Sequence, residues 1–132
     1  SLAWFLEQLG DAEMAVFKHP DRETVIDEAD YLKFRLIAEK AGEKKKYVLP
    51  RYEGECIDEH LSEVNPSRQL LASTAFIYRN TLGVQQALRR WWYFTSRYHI
   101  IDQLGLPESI KNLKVNVIPQ KYYECEYLES TR

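Results

Sequence analysis

The stretch from Ser67 to Gly105 constrains the fold most, and Leu88-Arg89-Arg90-Trp91-Trp92-Tyr93-Phe94 stands at its centre. Val84, Ala87, Leu88, Trp91, Phe94, Tyr98 and Ile101 recur at three- and four-residue steps, which puts them on one side of a helix. Gln86, Arg90, Tyr93 and Arg97 fall on a second face, with Arg89 beside them. The pattern requires a helix with an apolar side, Trp91 included, in a core and a basic, aromatic side left over, where an exposed Trp92 or Tyr93 would mark a contact site. Ser67 follows Pro66 and is placed to cap the start, because a hydroxyl can accept a hydrogen bond from an unpaired backbone N–H. Gly105, as a left-handed cap, and Pro107 mark the end. Gly83 costs about 1 kcal/mol against Ala inside a helix. It either divides the run or lets another element approach closely. The expectation is two helices, 67–81 and 84–104.

The remaining chain supplies shorter signals. Leu2, Phe5, Leu6 and Leu9 form an apolar stripe that Ser1 can cap and Gly10 can close. Met14 to Phe17 is apolar but too short to type by period, and reads as a strand or a helix tail. After the break at His19-Pro20-Asp21, Val25, Ala29, Leu32 and Leu36 keep helical spacing, and acids crowd the front of the run. The rival reading of residues 31–50 is a hairpin, with Phe34, Leu36 and Ala38 alternating, a turn at Ala41-Gly42-Glu43, and a second arm at Lys46-Tyr47-Val48-Leu49. The hairpin is slightly preferred, because Tyr47-Val48-Leu49 needs a strand partner. Cys56 to Val64 reads as a short helix. Ser109 to Leu113 has room for one more turn. Val115 to Ile118 and Tyr122 to Leu128 alternate as a C-terminal hairpin. The fold class expected is α+β and helix-rich, with four to six helices and a small antiparallel hairpin element. No repeat or linker divides residues 1–132, so one globular domain is expected, excised from a longer protein since no initiator Met begins it.

Charge is distributed unevenly. Residues 1–66 carry nine Lys/Arg against fifteen Asp/Glu, a net of −6, and residues 67–132 carry nine against five, a net of +4. Between Ser67 and Leu106 the single acid is Asp102, set against Arg68, Arg79, Arg89, Arg90 and Arg97. The asymmetry suits an acidic partner on the second half, or pairing of the two halves with each other. No apolar run reaches membrane-spanning length, so no membrane is expected. Two cysteines, Cys56 and Cys125, fit reduced thiols and an intracellular setting.

Catalytic and cofactor chemistry finds little support. The five glycines, at 10, 42, 54, 83 and 105, stand alone and form no phosphate-binding loop. Arg79-Asn80 resembles the start of the Arg…His motif of HEPN-type ribonucleases, but Gln85 and Gln86 occupy the place of the histidine. Pro20-Asp21 with Glu43-Lys44-Lys45 matches fragments of a nuclease motif without the paired strands it needs. Cys56 and His60 share a helix face and could begin a metal site, yet no second pair completes it. No cofactor and no metal are expected. The leading expectation is a non-catalytic interaction module that binds an acidic partner protein through Arg89, Arg90, Tyr93 and Arg97. The second is nucleic-acid binding through phosphates by the same face, with Lys44, Lys45 and Lys46 as auxiliary contacts. The third is a small enzyme or metal site around Cys56 and His60.

Overall fold

The computed structural model describes residues 1–40, 54–98 and 102–128. Its elements are α1 (Leu2–Leu9), β1 (Met14–Lys18), α2 (Val25–Lys40), α3 (Gly54–Ser62), β2 (Leu71–Tyr78), α4 (Leu82–Arg97), α5 (Leu106–Ser109) and β3 (Val115–Ile118). Short 3-10 turns lie at Asp102–Leu104 and Tyr122–Glu124. The architecture is α+β and helix-rich: among the described residues there are five α-helices and a three-stranded mixed sheet.

β1 is the middle strand, in the order β2-β1-β3. Met14, Ala15, Val16 and Phe17 are all buried. A strand covered on both faces reads as a continuous apolar run, which is why the segment showed no period of two. β2 pairs with it antiparallel, from Met14↔Tyr78 to Lys18↔Leu71, with a register shift between Val16 and Phe17. β3 pairs with it in parallel, from Met14↔Val115 to Phe17↔Ile118.

One sheet face carries Ala15, Phe17, Ala72 and Ile118, and is covered by Trp4 and Leu9 of α1 and by Cys125. Met14, Val16 and Leu71 on the other face pack with Ala87 of α4 and with Leu106 and Ile110. A separate helical core joins Val25, Ala29 and Leu32 of α2, Ile57 of α3, and Phe94, Tyr98 and Leu104. The C-terminal half of α4 thus belongs to the helical core and its N-terminal half to the sheet.

Three expectations are corrected here. Residues 71–78 form a strand, not a helix. Ser73, Thr74, Phe76, Ile77 and Tyr78 are β-branched, aromatic or poor helix formers, and the backbone of β1 needs a second partner. The helix start therefore moves to Thr81, whose Oγ1 accepts the Val84 N–H at 3.1 Å. The hairpin proposed over 31–50 gives way to α2, which continues to Lys40; the predicted second arm lies outside the described residues. Thr24 and Asp27 cap α2 reciprocally, with N–H to side-chain distances of 3.4 and 3.2 Å. The C-terminal hairpin does not form either. β3 joins β1 in parallel, and Tyr122–Glu124 is a 3-10 turn.

Candidate functional site

α4 runs for 16 residues and buries Val84, Ala87 and Phe94. Trp91 is half-buried and meets Phe76 edge-on at 5.9 Å, while its Nε1–H donates to the Asp102 carbonyl at 2.8 Å. One residue further on, the helix has turned by about 100°, and Trp92 is left 71% exposed. Trp91 therefore packs toward the core while Trp92 stands outside it. Trp92 thus has the exposure that the sequence reading attached to a contact site.

The four residues of the expected basic face separate into two groups. Tyr93 and Arg97 turn toward α3 and meet Glu63, just past its end. The Tyr93 hydroxyl donates to Glu63 Oε1 at 2.9 Å, and Arg97 Nε lies 3.9 Å from Glu63 Oε2. The Glu63 carboxylate, as acceptor of that hydrogen bond, raises the Tyr93 phenol above its ordinary range. Arg97 Nε also donates to the Tyr98 hydroxyl at 3.3 Å. Arg89 is exposed and Arg90 half-buried, and among the described residues neither has an ion pair. Arg90 lines a cleft of about 250 Å³ with Glu13, Gln86 and Asn112. Gly83 lets Leu113 approach α4 there: an added Cβ would lie 3.4 Å from Leu113 Cδ2 and 3.3 Å from Glu13 Oε2.

The remaining arginines named above are engaged inside the fold. Arg68 bonds Glu108 at 2.7 Å, and Arg79 donates to the carbonyls of Gly10 and Ala12. Lys44, Lys45 and Lys46 lie outside the described residues. Cys56 and His60 do share a face of α3, but that face is the core. Cys56 Sγ donates to the Tyr98 carbonyl at 3.1 Å, and the His60 ring stacks on Tyr98 at 4.7 Å and on Phe94 at 5.2 Å. Among the described residues no three His, Cys, Asp or Glu side chains gather as metal ligands.

No protein-family model, no curated protein and no solved structure matches this chain. The surface of α4 is therefore interpreted from its own chemistry. Among the described residues no helix is long and apolar enough to cross a membrane.

Proposed function

We propose that the protein is a non-catalytic interaction module and that the outer face of α4 captures an acidic partner protein. Arg89, three residues before Trp92 and on its side of the helix, supplies charge beside that apolar anchor, and Arg90 adds charge on the opposite flank, at the cleft with Glu13. Tyr93 and Arg97 border the contact through their link to Glu63. The supporting observation is that α4 carries two guanidiniums with no ion pair among the described residues and a tryptophan that is 71% exposed. Arg and Trp dominate the energetic centres of protein interfaces, and forked guanidiniums suit carboxylates.

Polyglutamate serves as the probe. The double reversal Arg89→Glu with Arg90→Glu is expected to weaken its capture at least about tenfold, since close interfacial charge pairs contribute ~1.5 kcal/mol or more. The melting temperature should hardly move, because among the described residues neither side chain has an ion pair. Unchanged capture would refute the reading.

The exposed Trp92 ring also favours a second reading, because indole stacks on any base. Nucleic-acid binding at low salt that weakens steeply as salt rises would replace the acidic protein by a phosphate backbone.

A further inference from the structure

Asp102 is the single acid between Ser67 and Leu106, and the fold holds it from two sides. Its carbonyl accepts the Trp91 indole N–H at 2.8 Å, and its Oδ1 accepts the Ser73 hydroxyl from β2 at 2.9 Å. With Trp91, Trp92 and Thr95, Asp102 lines a cavity of about 220 Å³. Among the described residues it forms no ion pair. Burial raises its carboxyl above the usual range, while only the bonds from Ser73 and the backbone pull it down. The notch thus combines a half-buried anion, fixed in place, with two indoles, one of which stands open to solvent.

A cation is the ligand this combination selects. Indole faces attract cations through the ring quadrupole, and more strongly where water is excluded. A carboxylate adds a full opposite charge and accepts N–H donors. Guanidinium fits better than ammonium, since it is planar, stacks on aromatic faces and is weakly hydrated. An anion would be repelled, and a neutral group would leave the carboxylate uncompensated.

We propose that the Trp91/Trp92/Thr95/Asp102 notch receives an arginine side chain of the partner polypeptide. This rests on the reading of α4 as a docking face. It makes the partner segment mixed in charge, with carboxylates against Arg89 and Arg90 and one guanidinium against Asp102. Trp92 is shared between the two sets of contacts.

The test titrates the protein with N-acetyl-arginine amide while the Trp92 indole N–H resonance, assigned by its loss in Trp92→Phe, is followed by NMR. A saturable shift is expected. The neutral isostere N-acetyl-citrulline amide should give none, and N-acetyl-lysine amide a weaker one. Asp102→Asn keeps an acceptor for Ser73 and should weaken arginine binding about tenfold through loss of the charge-assisted contact. Trp92→Ala, which removes an exposed ring, should weaken it as well. No saturable shift, equal response to citrulline, equal or tighter binding of lysine, or an unaffected Asp102→Asn variant would each overturn the assignment. Polyglutamate capture and the arginine titration together separate the two ideas. Retained capture with no arginine binding in the wild type would sink the notch alone, and arginine binding with capture unchanged in the Arg89/Arg90 reversal would sink the acidic-partner reading alone.

Discussion

Gly105 shows what a single missing methyl group allows. The residue sits at the seam between the helical core and α5, with no left-handed backbone to explain it. An added Cβ would lie 2.8 Å from Phe94 Cβ, 3.0 Å from Phe94 Cδ2 and 3.1 Å from His60 Nε2. Gly105→Ala should therefore be destabilised by about 1–3 kcal/mol through overpacking, read as a lower urea midpoint. The glycine was legible in the sequence, but as a helix terminator; its close approach to Phe94 was not. Asp102 carries a pH signature. Burial raises its folded carboxyl above the usual 3.8 that the unfolded chain shows. Its stabilising contribution is fully present below 3.8 and is lost as pH rises through the raised value, because the unfolded chain has already released the proton. Asn cannot ionise. Asp102→Asn should gain stability relative to wild type across that interval and hold a constant difference above it, as measured by denaturation at a series of pH values. A difference that does not change with pH would mean that the carboxyl is not perturbed.

At the scale of elements, α4 is defined by its first turn as much as by its apolar stripe. Thr81 accepts the Val84 N–H and donates its own hydroxyl to Glu13 Oε2 at 3.0 Å. The cap thereby ties the helix start to the entrance of β1. Thr81→Ala should cost about 1–2 kcal/mol, at the upper end for a cap because two bonds are lost, and thermal unfolding checks it. The helix ends at Arg97, with the Tyr98 N–H bonded to the Phe94 carbonyl, several residues before the predicted end. Apolar spacing over 84–98 was a sound guide because the periodic residues there do face a core. Extending the same reasoning back to residue 67 failed. A run such as Leu71–Tyr78 satisfies a loose helical stripe and a strand equally well, and the hydrogen-bonding demand of β1 decides between them.

The molecule as a whole is assembled around β1, which separates the two sheet-face cores. Phe17 stacks on Trp4 at 6.1 Å and meets Tyr122 edge-on at 6.5 Å, so one ring joins the N-terminal helix, the sheet and the C-terminal segment. Phe17→Ala should cost about 3–5 kcal/mol, as for large aromatic truncations in cores, and chemical denaturation would show it. A loss below about 1 kcal/mol, the scale of a surface change, would contradict the central place of this strand. The acidic and basic halves meet at a few points, such as Asp11 with Lys114 at 2.7 Å and Glu63 with Tyr93 and Arg97. This partial pairing leaves Arg89 and Arg90 without an internal carboxylate among the described residues.

By itself the sequence determined the helix-rich α+β class, the caps at Ser1 and Gly10, α3, and the phase of α4 that turns Arg89 outward. These depend on neighbours a few residues apart, and local spacing encodes them. Tertiary structure alone decided the parallel pairing of β3, the strand at Leu71–Tyr78, the capture of Tyr93 and Arg97 by Glu63, and the meeting of Asp102 with Ser73 beside Trp92. Each of these joins groups distant along the chain, and no local period records which distant partner satisfies a backbone or a charge.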